Sequence, residues 1–210
     1  MPTYDHARPS LTCDVVLFRW HGGWLQVLLI ERDREPFAGR HALPGGFVDE
    51  GEPPRAAALR ELEEETGVGA VPLIEVGVFG DPGRDPRGWV VSSAWIGLAP
   101  PDVRATAGDD ARALGWHRVA SLPPLAFDHD RIIARAREVL RERIQLDTAA
   151  LALLPAPFRT AQVRHLYSQI LGAPIPPTTL KAWLRRRGAV ERTGPARFVA
   201  APALHPDWVR

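Results

Sequence analysis

Residues 46–68, Gly-Phe-Val-Asp-Glu-Gly-Glu-Pro-Pro-Arg-Ala-Ala-Ala-Leu-Arg-Glu-Leu-Glu-Glu-Glu-Thr-Gly-Val, constrain this chain more than any other stretch, because a glycine turn leads straight into a short helix loaded with glutamate. Pro53 and Pro54 suit a first helical turn, where a missing N–H costs little, and Gly67 suits the residue just past the end. The spacing predicts a helix from about Pro53 to Thr66. On it Glu61, Glu64 and Glu65 fall at i, i+3 and i+4 and share one face, while Ala56, Ala57 and Leu59 offer apolar surface elsewhere. Like charges at i,i+4 weaken a helix by roughly 0.2–0.5 kcal/mol, so three carboxylates without lysine neighbours make poor sense as stabilisation. A hard divalent cation reverses that sign. Mg²⁺ or Mn²⁺ takes oxygen ligands and commonly joins one or two carboxylates to the phosphates of a substrate.

The same residues carry a resemblance. A glycine, five residues, Glu, seven residues, then Arg-Glu-apolar-x-Glu-Glu-x-Gly-apolar is the pattern of the Nudix box, and Gly46, Glu52, Arg60, Glu61, Leu62, Glu64, Glu65, Gly67 and Val68 fill every defined place. Most charge runs are solvated helix faces, but this many defined positions over a fixed span are rarely met by chance. The resemblance implies that Glu61, Glu64 and Glu65 carry the metals, with Glu52 supporting them directly or through water. It places Glu64, Glu65 and Arg60 in the catalytic set, Arg60 bracing a carboxylate; Arg60 and Glu64 are also i,i+4 neighbours. Leu43-Pro44-Gly45-Gly46 begins the catalytic turn in such proteins. Gly45 and Gly46 would let backbone approach metal or phosphate closely.

The net charge of +1 over 210 residues hides a split. From Pro157 to Pro206 there are eight basic residues and one acid, so an acidic body precedes a basic tail. That asymmetry points to one unit that holds cations and another that meets something anionic. Cys13 is the only cysteine, which excludes an internal disulfide and a thiolate-built metal site. The first residues lack a signal-peptide pattern, and no run approaches about 18 apolar residues. A soluble cytoplasmic protein with no membrane partner is expected.

Residues 11–19 and 24–31 read as a hairpin turning at His21-Gly22-Gly23, with further strands at 71–79, 88–98 and near 114–117. Between the middle two, Gly80-Asp81-Pro82-Gly83-Arg84-Asp85-Pro86-Arg87-Gly88 is a turn by composition. It also resembles the Arg-Asp-Pro-Arg segment of Nudix proteins that handle ADP-ribose and related dinucleotides. Arg84 and Arg87 could meet phosphate, since guanidinium forks bind oxyanions bidentately, or pair with Asp81 or Asp85 to fix the loop. Trp89 or Phe79 could stack on a base, or pack in a core. Asp109 and Asp110 are candidates for the acidic group that Nudix enzymes often take from such a loop to activate water; an Asx turn is the local alternative. Asp128 or Asp130 suits the N-cap of a helix running to about Gln145. His129 beside it could touch substrate or metal, but is read first as a structural histidine next to a cap.

A linker is expected at about 147–156. Beyond it a helix over 160–171, a turn at 173–177, a second helix over 178–187 and a short hairpin resemble a winged helix. Thr178, Lys181, Arg185 and Arg186 would face a DNA groove, with Arg192 and Arg197 on the wing. The fold expected from these resemblances is α/β: a Nudix α/β/α sandwich with a mixed sheet over 1–148, then a small winged helix-turn-helix domain over 149–210. The combination looks like the Nudix-related transcriptional regulators of NAD metabolism. Two functions follow by resemblance. One is metal-dependent hydrolysis of a nucleoside diphosphate linked to another moiety, ADP-ribose or a related dinucleotide first, with Mg²⁺ or Mn²⁺. The other is an ADP-ribose sensor that binds operator DNA through its tail, as a homodimer. In those regulators the box is often degraded; here it is complete.

Overall fold

A computed structural model of the protein describes residues 5–69, 71–108, 111–186, 190–194 and 197–200; for 111, 112, 186 and the last two segments only the backbone is described. Strands β1 (Ser10–His21) and β2 (Trp24–Arg32) form the expected hairpin, and β3 (His41–Ala42) and β4 (Gly45–Phe47) follow before helix α1 (Pro54–Thr66). Then come β5 (Leu73–Phe79), β6 (Val90–Leu98), β7 (Ala111–Arg118) and α2 (His129–Leu146). β1 runs parallel to β6 and the remaining pairs are antiparallel, so the sheet is mixed.

The hairpin does something its sequence does not announce. β1 pairs with β2 only over Phe18–His21, and further on β1 pairs with β4 while β2 pairs with β3. The two strands part, and residues 41–47 fill the opening. The chain there comes so close to β1 that a Cβ on Gly45 would lie 2.1 Å from the Cys13 carbonyl oxygen. A side chain would push the turn off the sheet.

Alternation along β1 sorts the layers. Cys13, Val15 and Leu17 pack with Leu28 and with Ala57, Ala58 and Leu62 of α1 on one face. Val16, Phe18 and Trp20 pack with Ile132, Ile133, Ala136 and Leu140 of α2 on the other. α1 starts one residue later than expected, with Pro53 as N-cap, and ends at Gly67 with φ 65°, where only glycine is at ease. Its apolar face is also rotated from the expected one: Ala56 is exposed, and Ala57, Ala58 and Leu62 are inside. Leu62 is fully buried, and its truncation to Ala should cost roughly 2–5 kcal/mol.

Residues 147–156, expected as a linker, are not one. A 3₁₀ turn (Ala149–Leu153) buries Ala150, Leu151, Leu153 and Leu154 in the α2-side core. That core continues into α3 (Thr160–Leu171) through Phe158, Val163, Leu166, Tyr167 and Ile170, and into α4 (Pro177–Arg186) through Leu180 and Leu184. A two-stranded antiparallel hairpin, β8 (Val190–Gly194) and β9 (Arg197–Ala200), ends the described chain. Among the described residues no helix is long and apolar enough to cross a membrane.

Candidate active site

The turn between β3 and β4, the acidic face of α1, the 80–88 loop and the start of α2 enclose a cleft of about 410 Å³. Its acidic wall is α1. Arg60 lies along that wall as a fork: Nε donates to Glu52 Oε1 at 3.0 Å, Nη2 to Glu52 Oε2 at 2.9 Å, and Nη1 to Glu61 at 2.7 Å and Glu64 at 3.2 Å. Nη2 also reaches the Phe47 carbonyl at 3.0 Å, tying the helix to the glycine turn. The structure thus brings Glu52, Arg60, Glu61 and Glu64 together. The fork holds Glu52 below the usual carboxylate range, whereas burial pushes Glu61 up despite Arg60.

Glu65 points the other way along the cleft floor and accepts the Gly45 N–H at 2.8 Å. Burial first, and the nearby charges of Glu61 and Asp14, push it up to about 8. At Gly46 a Cβ would lie 2.4 Å from the carboxylate of Glu61, so the glycine is what allows turn and helix to close on each other. Among the described residues no three His, Cys, Asp or Glu side chains converge on one point in this geometry. The donor set still suits a hard cation: every group is a carboxylate oxygen, and two of the carboxylates bear the cost of burial that a cation would relieve. Glu64, with a side chain 59% exposed, stays open to solvent while it pairs with Arg60.

The two arginines of the 80–88 loop part company. Arg84 is buried and donates bidentately to Asp128 at 2.7–3.1 Å, so neither Asp81 nor Asp85 is its partner. Asp128 stands at the N-cap position of α2 as expected, but with its carboxylate on Arg84 it makes no side-chain cap. Arg87 pairs with Asp85 at 2.6–3.1 Å and lays its guanidinium 5.2 Å from the Phe47 ring and 5.4 Å from the Phe127 ring. Arg32 approaches Phe127 from another side at 4.9 Å. The cleft therefore has a carboxylate end and a guanidinium–aromatic end.

Sequence reasoning missed Asp14, Arg32, Phe47 and Phe127. Of the two residues it left between stacking on a base and packing in a core, Phe79 packs against the main core and Trp89 is exposed, and neither lines the cleft. Phe127 has φ 52°, which costs about 1–2 kcal/mol for a residue with a Cβ, and no sequence signal marks it. Phe47, inside the box and 46% exposed, could have been found as an apolar residue with no place in the helix core. Asp109 and Asp110 lie outside the described residues; Gly108 just before them donates to the Glu65 carbonyl at 3.0 Å.

At the far end of the chain Thr178, Lys181 and Arg185 are all exposed on α4, while Leu180 and Leu184 are buried and Trp183 stacks edge-on with Tyr167 at 5.3 Å. The side chains of Arg186, Arg192 and Arg197 lie outside the described residues.

A glycine turn is closed onto a carboxylate helix by an arginine fork and set against a mixed sheet. Residues 9–136 match the NUDIX domain family, and the chain belongs to it. It is similar to the ADP-ribose pyrophosphatase of Methanocaldococcus jannaschii, 46% identical over 110 residues that cover 51% of this chain and 63%, less than two-thirds, of that protein. It is also similar to the ADPR responsive transcriptional repressor NtrR of Acinetobacter baylyi, 30% identical over 198 residues covering 92% of this chain and 79% of that one. Among solved structures it resembles Shewanella oneidensis NrtR complexed with a 27mer DNA, at a TM-score of 0.80 and 31% identity over 94% of each chain.

Proposed function

We propose that the protein is a metal-dependent pyrophosphohydrolase acting on a nucleoside diphosphate linked to another moiety, with ADP-ribose or a related dinucleotide as substrate. The observation that carries this reading is the intact carboxylate helix facing a guanidinium–aromatic wall across one cleft. A divalent cation, Mg²⁺ or Mn²⁺, would be held by Glu61, Glu64 and Glu65 with Glu52 in support. When bound it would supply charge neutralisation at the diphosphate and a water of lowered pKa. The protein's own groups do the rest. Arg60 orients Glu52 and Glu61 and favours their charged forms, at Glu61 against the larger effect of burial. Gly45 aims Glu65 into the cleft. Arg87, fixed by Asp85, offers a cation and a flat face to the nucleotide beside Phe47 and Phe127. Arg84 ties the loop to Asp128 at the start of α2. Asp109 and Asp110 remain candidates for activating the attacking water.

A second reading is favoured by the match to a repressor along 92% of the chain and by the exposed basic face of α4. In it, residues 149–210 form a winged-helix unit that binds operator DNA through Thr178, Lys181, Arg185, Arg186, Arg192 and Arg197. The 1–148 unit then reports ADP-ribose to it within a cytoplasmic homodimer. Product analysis with ADP-ribose, dinucleotides, nucleotide sugars and nucleoside triphosphates, each with Mg²⁺ or Mn²⁺, separates the readings. Rapid turnover of one substrate supports the enzyme. Binding without turnover supports the sensor.

A further inference from the structure

The floor of the cleft carries a buried polar network for which the proposed chemistry has no use. His129 sits in it at 4% exposure. Its Nδ1 accepts the Leu43 N–H at 2.9 Å, so that nitrogen carries no proton and the ring hydrogen is on Nε2, which faces Asp14 Oδ1 at 3.4 Å. The other Asp14 oxygen accepts the Ser92 hydroxyl. Arg84 stands 3.8 Å from Asp14 and grips Asp128, the residue that precedes His129. One buried guanidinium thus answers two buried carboxylates, one facing the imidazole and the other on the residue before it.

The output of this network is the catalytic turn. Leu43 is separated from Gly45 only by Pro44, whose ring fixes φ and whose carbonyl accepts the Val15 N–H at 2.8 Å. Gly45 in turn donates to Glu65 at 2.8 Å. The path from imidazole to metal-side carboxylate is three residues of stiff backbone with a hydrogen bond at each end.

We infer that His129 is a positioning residue for the catalytic turn: locked as its Nε2–H tautomer by Asp14, Arg84 and Asp128, it holds the Leu43 amide so that Gly45 orients Glu65. This reassigns Arg84 from ligand contact to the brace and leaves Arg87 as the loop's ligand arginine. The turnover arm of its test rests on the proposed hydrolysis; the structural arm does not.

The test compares His129→Asn, which puts an amide oxygen near the place of Nδ1, with His129→Leu, which removes the acceptor. In His129→Leu the Leu43 and Gly45 amides should exchange hydrogen at least about tenfold faster. Mn²⁺ affinity measured without substrate should fall about tenfold, and kcat for ADP-ribose should fall with KM held. His129→Asn should stay near wild type in all of these. Unchanged exchange in His129→Leu, or an equal loss in His129→Asn, overturns the inference. Should His129→Leu fail to fold, Ser92→Ala removes one hydroxyl from Asp14 and should move the same amides in the same direction; no movement there also overturns it. Amides that respond as expected in a protein that turns over nothing uphold the brace and sink the hydrolase reading instead.

Discussion

The cleft and the α4 face both gather charge, and they handle it in opposite ways. In the cleft three arginines are held in place: Arg60 by three glutamates and a carbonyl, Arg84 by a bidentate carboxylate, Arg87 by Asp85 and two rings. On α4, Lys181 and Arg185 stand exposed, and no ion pair links them to another described residue. Chemistry on a diphosphate needs charges fixed before the substrate arrives, because reorienting them during the reaction would cost what they gain. A surface meeting a long polyanion has no such need. Its affinity comes from released counterions, and solvated side chains deliver that without a built pocket.

Four substitutions or conditions sharpen this contrast or break it. The largest effect should come from Glu64→Gln. Turnover should fall on the order of 10²–10³-fold while the melting temperature holds, because Glu64 is exposed and anchors no packing. Steady-state kinetics beside a thermal melt checks both halves. Reversing Lys181 and Arg185 to Glu together should weaken operator DNA binding about 10²-fold at 0.1 M salt and flatten the salt dependence, with turnover untouched. Any loss of turnover in that variant would break the separation between the two regions. Phe127→Ala should raise KM about tenfold at nearly constant kcat, as expected of uniform binding at the aromatic end.

The smallest effect is on stability in acid. Burial holds the His129 pKa below 6.5, amid Asp14, Asp128, Arg84 and Arg32. The unfolded chain takes up a proton through 6.5 that the native chain refuses, so stability present above 6.5 is lost as pH falls below it, by at most about 1.4 kcal/mol per unit. Denaturant melts at pH 7 and 5 should show this slope, and His129→Asn should flatten it.

How much of this was legible beforehand depends on how local each cause is. The ends of α1 are written in Pro53, Pro54 and Gly67, and the β1–β2 hairpin in alternating apolar residues around a Gly-Gly turn, so both are readable from neighbours alone. Arg60 and Glu64 are i,i+4 partners and were readable too. The floor of the cleft was not. His129 meets Leu43 across 86 residues, Ser92 meets Asp14 across 78, and Arg84 meets Asp128 across 44. Such pairs become neighbours only when β1 and β2 part and α2 returns beneath the opening. Asp128 illustrates the cost: it holds the N-cap position its local context predicts, yet its carboxylate goes to a distant guanidinium. Residues 147–156 mislead in the reverse direction, since a short Ala/Leu run ending at Pro155 reads as a connector, yet its leucines complete the α2-side core.

The most direct test of the central claim is a chase of ADP-ribose incubated with the purified protein and Mg²⁺ or Mn²⁺, resolved by chromatography beside a parallel sample in chelator. A metal-dependent hydrolase should yield AMP and ribose 5-phosphate in equal amounts over many turnovers, abolished by chelator and nearly abolished in Glu64→Gln. ADP-ribose that binds the protein yet comes through uncleaved with metal present would contradict that reading, and would make the cleft a sensor whose output is the basic face of α4.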